Sequence, residues 1–111
     1  MNKVFAVNDS GHDFSQAKEY GELIMLTEGI IGKYQITSMY RTMEDQLRSS
    51  KPDDYILMCG PSVMQSVACA IFAAKHGCLN LLLFKTGGEG NRGEDTYIFR
   101  RLNLSALKEG D

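Results

Sequence analysis

Short apolar runs separated by polar breaks divide this chain into alternating extended and helical segments. Lys3-Val-Phe-Ala-Val7 predicts a first strand, and Asn8-Asp9-Ser10-Gly11-His12 a polar turn after it. Asp13 stands where a helix N-cap is wanted, and Gln16 three residues on completes a capping box. The short helix this predicts would turn Phe14, Ala17 and Tyr20 inward and end at Gly21 in the left-handed conformation. Leu23 to Thr27 predicts a second strand, closed by Glu28-Gly29, while Ile30 to Gln35 has no clear period. Ile36, Met39, Tyr40, Met43 and Leu47 then recur at helical spacing, with Arg41, Glu44, Asp45 and Arg48 on the other face. Ser49 to Asp54 reads as a linker, and Pro52 excludes helix beyond Lys51.

The most apolar stretch follows. Tyr55 to Cys59 predicts a strand, Gly60-Pro61-Ser62 breaks it, Val63 to Lys75 is apolar on nearly every side, Gly77 stops it, and Leu79 to Phe84 is again strand-like. This is a βαβ unit with little polar surface, so it is expected at the buried centre, its two strands parallel. Val63, Val67, Ala70, Ile71 and Ala74 are expected to be largely buried, and Ile71→Ala to cost about 2–5 kcal/mol through lost burial and a residual cavity. Lys85 to Gly93 is a Gly-rich loop expected to be mobile. Thr96 to Leu102 alternates in part, as an exposed strand does, and is expected to return antiparallel beside Leu79 to Phe84. The tail from Asn103 to Asp111 is expected to fray.

Alternating strands and helices imply a mostly parallel sheet with right-handed crossovers. Near-continuous apolar strands agree, because parallel strands are covered on both faces. The expected fold is a small α/β Rossmann-like three-layer sandwich of order about 2-1-3-4, with a C-terminal antiparallel edge strand, in a single α/β domain over residues 1–111.

Composition changes this picture little. An apolar content of 43% and a charged content of 23% are ordinary for a globular protein. The net charge of −2 gives no electrostatic case for nucleic acid, and the basic residues Lys85, Arg92, Arg100 and Arg101 read as a solvated edge rather than a phosphate track. No run approaches the roughly 18 apolar residues that span a bilayer, and no signal peptide is read at the start. Cys59, Cys69 and Cys78 are odd in number and lack a C-x-x-C pair, which argues against a disulfide frame and against a zinc site and fits a reducing, cytoplasmic setting.

Candidate chemistry comes from topology rather than from a motif. In an open α/β sheet, ligands bind beyond the carboxyl ends of the strands where the strand order reverses. That rim receives Asn8, Asp9, Ser10 and His12 from the first strand and Thr27 and Glu28 from the second. Cys59, Gly60 and Ser62 come from the third, and Lys85 and Thr86 from the fourth. Gly60 admits a close backbone approach, and Ser62 either caps the helix or offers its hydroxyl to an anion at a terminus rich in free N–H groups. At this strand-to-helix turn a true Gly-x-Gly-x-x-Gly or Walker loop is absent. His12 between Asp9 and Asp13 reads either as a general base or as a locally bonded loop residue. Glu28 reads either as a ribose acceptor or catalytic acid, or as a solvated strand end.

Two local resemblances bear on the rim. Cys59-Gly-Pro-x-x-Met64 resembles the C-terminal signature of ferredoxin–NADP reductase-type enzymes, where the Cys lies by the nicotinamide. The flavin domain and the earlier Gly-rich turn of that family are missing, so the likeness implies local geometry. Leu23 to Gly29 resembles the Glu-Gly strand end of the Toprim fold, whose later Asp-x-Asp is absent, so a two-metal nuclease is not implied. Over most of its length the chain is similar to small uncharacterised α/β proteins of bacteriophage genomes. That likeness rests on Val-Asn-Asp-Ser-Gly-His-Asp-Phe-Ser, on Gly-Glu-Leu-Ile-Met-Leu-Thr-Glu-Gly, and on Ala-Cys-Ala-Ile-Phe-Ala-Ala-Lys-His-Gly followed by Leu-Asn-Leu-Leu-Leu-Phe. It implies a viral accessory role in a host cytoplasm and no particular activity.

Three function classes therefore stand. The first is a non-catalytic domain binding a nucleotide or other anionic small molecule between the Asn8–His12 loop and the Gly60–Ser62 turn. The second is a protein–protein interaction or oligomerisation module, expected to be a homodimer. The third is a small enzyme using His12, Glu28 or Cys59. No cofactor is assigned by the sequence.

Overall fold

The apolar runs become five strands of one sheet in a computed structural model that describes residues 2–9, 14–29, 32, 35–85 and 96–105. In chain order these are β1 (Lys3–Asn8), β2 (Glu22–Thr27), β3 (Tyr55–Leu57), β4 (Cys78–Lys85) and β5 (Thr96–Asn103). Helix α1 (Ile36–Gln46) joins β2 to β3, and helix α2 (Ser62–His76) joins β3 to β4. The order is β2-β1-β3-β4-β5, parallel through the first four and antiparallel at the last. It matches the expected order, and the reversal falls between β1 and β3. In the closing hairpin, Cys78 faces Asn103 and Lys85 faces Thr96.

The strand period of two assigns the faces. Met58 lies under α2, in sulfur contact with Cys69 at 3.6 Å, so Ile56 and, by register, Phe5 point toward the helices. Tyr55 points the other way and stacks edge-on against Tyr20. The helices α1 and α2 thus cover one face side by side, and a short 3-10 turn (Ser15–Glu19) covers part of the other. Val4, Phe5, Ala6 and Val7 are all fully buried, as a strand covered on both faces requires.

Several local expectations change. The first connection is a 3-10 turn of five residues, with no side-chain cap bond at Phe14; Asp13 lies outside the described residues. Gly21 is not left-handed. It is small because β1 passes over it: a Cβ there would lie 2.1 Å from the Asn2 carbonyl oxygen, whose acceptor is taken by the Glu22 N–H at 2.9 Å. Gly77 does adopt φ 71° and ends α2 with its N–H on the Ala73 carbonyl at 2.7 Å. The Gly-rich loop beyond Lys85, the tail beyond Ser105 and most of Ile30 to Gln35 lie outside the described residues.

The largest change concerns which face of α2 is inside. Met64, Ala68 and Phe72 are buried, whereas Val63, Val67 and Ile71 are only partly so and Ala70 and Ala74 are exposed. A helix apolar all round has no polar side to hold toward water, so side-chain volume decides its rotation. Phe72 and Met64 fill the space above the sheet, and the small Ala70 and Ala74 fall outward. The large penalty expected at Ile71 therefore moves one residue along. Phe72→Ala should cost about 3–5 kcal/mol, and Ile71→Ala under about 2 kcal/mol because part of its surface already meets water. Urea denaturation of both variants checks this; equal losses would mean that α2 sits rotated from this orientation.

Candidate functional site

The carboxyl-end rim is built from the last residues of β1 and β2 and from the turn that leads β3 into α2. Asn8 is buried, and its amide donates to the Thr27 hydroxyl at 2.9 Å and to the Gly29 carbonyl at 3.2 Å. Thr27 passes its own proton to the Val7 carbonyl at 2.6 Å. The Cys59 thiol donates to the Asn8 carbonyl at 3.1 Å. Gly60 follows at φ 87°, and a Cβ there would meet the Asn8 Cβ at 2.7 Å. The Gln65 side chain then folds back to the Gly60 carbonyl at 2.6 Å.

Asn8, Thr27, Cys59 and Gly60 are thus brought together, but they pack on and bond to one another. The close approach that Gly60 permits is that of Asn8. Glu28 and Ser62 are exposed, and Ser62 makes no side-chain cap bond. Asp9 is exposed at the end of β1 and takes part in an interaction of its own. Ser10, His12 and Thr86 lie outside the described residues, and Lys85 is exposed at the end of β4. Burial pushes the Cys59 thiol above its ordinary range, and the Asp9 charge adds to this. At neutral pH Cys59 is therefore the protonated thiol, which is the form that does not attack.

The opposite end of the sheet carries a second polar cluster, missed because its members are scattered in sequence. Asp54 is buried, and its two carboxylate oxygens accept the backbone N–H of Lys3 and of Lys51, each at 2.8 Å. Asn80 donates to the Pro52 and Asp54 carbonyls at 2.6 and 2.8 Å and accepts from Arg101 at 3.0 Å. Nearby, the Ser50 hydroxyl donates to the Leu47 carbonyl at 2.7 Å, so the 2.8 Å contact with His76 is donated by the imidazole Nε2–H. Burial, and then the Lys75 charge, hold His76 below its ordinary pKa, against a weaker pull from Asp54. Every polar group in this cluster has a structural partner, which is the arrangement of a joint between elements.

A third feature is a shallow apolar groove of about 640 Å³ between α1 and α2. Tyr40, Val67, Ala70, Ile71 and Ala74 line it, and Glu44 and Lys75 stand on its rim. Its only sequence signal was the apolar outer side of α2. Lys75 is committed there, its ammonium bound to the Leu47 and Arg48 carbonyls.

Two expectations follow from the two ends. Gly60→Ala should cost at least about 1–2 kcal/mol for the left-handed backbone, plus the clash with Asn8. Gly29→Ala, at φ 74° with nothing within 4 Å, should cost the backbone part alone, and thermal denaturation of the pair separates the two terms. At the other end, a depressed imidazole pKa means that the unfolded chain binds this proton more readily than the folded one. Stability from His76 is thus present above its ordinary value of 6.5 and lost as pH falls below it. The urea midpoint should drop between pH 7.5 and about 5, and His76→Gln should flatten part of that drop.

No curated protein and no solved structure matches this chain. A family model described as "Phage Pam3 gp32-like protein" matches residues 2–97, which runs from the residue before β1 to the second residue of β5. Among the described residues, no helix is long and apolar enough to cross a membrane. The match spans most of the chain and bears out the resemblance to phage proteins drawn from the sequence: the chain belongs to the phage Pam3 gp32-like protein family.

Proposed function

We propose that this protein is a non-catalytic assembly module that associates through the open edge of its sheet, acting in the host cytoplasm. The observation that carries this reading is β5. It is eight residues long, lies last in the sheet, and has one strand neighbour, β4, among the described residues. A long edge strand offers a row of backbone donors and acceptors to another strand. Side chains beside it are apolar and exposed on both faces, Leu83 and Leu102 on the helix side and Phe84 and Phe99 on the other. At the rim, by contrast, Asn8, Thr27, Cys59 and Gly60 bond to and pack on one another.

A second reading keeps the small ligand. It is favoured by one observation, that α2 begins at the rim with no side-chain cap on its first N–H groups. A nucleotide or other anion would then be met by Ser62, with Asp9 and Glu28 toward its hydroxyls.

Sedimentation velocity of the full chain over a low-to-high micromolar series, with thermal shift against a nucleotide panel, decides between them. The assembly reading expects a concentration-dependent dimer, lost in Phe99→Asp with the circular dichroism unchanged, and no thermal response to nucleotides. A chain that stays monomeric to high micromolar concentration overturns it, and a nucleotide-dependent rise in the melting temperature supports the second reading instead.

A further inference from the structure

Given the assembly reading, on which this inference rests, the side chains of β5 identify the partner. We infer that β5 pairs antiparallel with β5 of a second copy, with Phe99 on the two-fold axis, so that two five-stranded sheets become one continuous sheet.

An antiparallel pair of identical strands is related by a two-fold axis, and an axis perpendicular to the sheet keeps each side chain on its own face. Opposed residues must then share a face, so positions of like parity meet and only a few registers exist. With Phe99 on the axis, Phe99 faces Phe99, Ile98 faces Arg100, Tyr97 faces Arg101, and Thr96 faces Leu102. All positions from Thr96 to Leu102 are opposed. Two aromatic rings meet at the centre, where cross-strand aromatic pairs contribute most. Ile98 lies along the aliphatic stem of Arg100. The Arg101 guanidinium is already held by Asn80 of its own chain at 3.0 Å, which leaves the stem of Arg101 beside Tyr97.

The neighbouring registers lose on stated grounds. Moving the axis to Arg100 sets Arg100 directly against Arg100, a like-charge pair at about 4.5–5.5 Å between Cβ atoms, which destabilises the ladder. In the Phe99 register the same two charges are one diagonal step apart. Moving the axis to Ile98 opposes only Thr96 to Arg100 and leaves Arg101, Leu102 and Asn103 of each strand unpaired. Edge arginines ordinarily protect a strand from pairing; here they select a single alignment.

The consequence is a surface that neither copy has alone. Ile98 and Leu102 share the helix-side face with Leu79, Leu81 and Leu83 of β4. In the pair, these residues from both copies line a trough between the two α2 helices, apolar along its flanks and with the two Arg100 side chains beside the dyad.

Cysteine cross-linking tests the register separately from the association. Cross-strand pairs alternate between narrow and wide spacing, so either the 99–99 pair or the 98–100 pair is close enough to oxidise readily. Under mild oxidation at a concentration where the unmodified chain sediments as a dimer, a disulfide-linked dimer is expected from Phe99→Cys alone or from an equimolar mixture of Ile98→Cys and Arg100→Cys. It should form several times faster than from Arg100→Cys alone, and the natural cysteines alone should give none. Faster linking by Arg100→Cys, or a sedimenting dimer that neither Phe99→Cys nor the mixture links, overturns the register and leaves the assembly reading standing. A monomeric unmodified chain overturns both.

Discussion

The buried carboxylate of Asp54 is the constraint on which the sheet depends. A charge taken out of water is tolerated only when its oxygens are fully bonded, and here each accepts a backbone N–H. One of those N–H groups begins β1 and the other belongs to the turn that enters β3. The carboxylate thus fixes where β1 starts relative to β3, which is a pairing with no short hairpin to set it. Asn80 extends the joint to β4 and Arg101 to β5. A slip of β1 by one residue against β3 would turn its apolar side chains to the wrong face and take the Lys3 N–H from the buried Asp54 carboxylate together.

At the other end of the same strands Asn8, Thr27 and Cys59 are also turned inward. The Asn8 amide bridges β1 to Thr27 and Gly29, and the Cys59 thiol bridges the β3 exit back to β1. Both ends of the sheet are therefore tied, whereas its lateral edge at β5 has no further strand beside it among the described residues. This asymmetry is why the assembly reading follows from the geometry more directly than a ligand at the rim. It also places the unspent apolar surface, on β4, β5 and the outer side of α2, away from the reversal in strand order.

The sequence by itself determined the order of elements, the parallel centre and the antiparallel return, because apolar run length and the placement of Gly and Pro act locally. It determined that Gly77 would stop α2, since a left-handed cap needs only the residue's own backbone freedom. It also placed Asn8, Thr27, Cys59 and Gly60 at one rim, because topology brings strand ends together. Only the tertiary structure decided what those residues do there: whether Gly60 opens space or yields it to Asn8 depends on a contact 52 residues apart in the chain. Likewise Gly21 is required by the passing backbone of Asn2 and not by its own conformation. The face of α2 that turns inward was undetermined by a helix apolar on all sides, and the volumes of Phe72 and Met64 against the sheet settled it. Local pattern fixes what forms. Burial, contact and charge between distant segments fix which surface is left over.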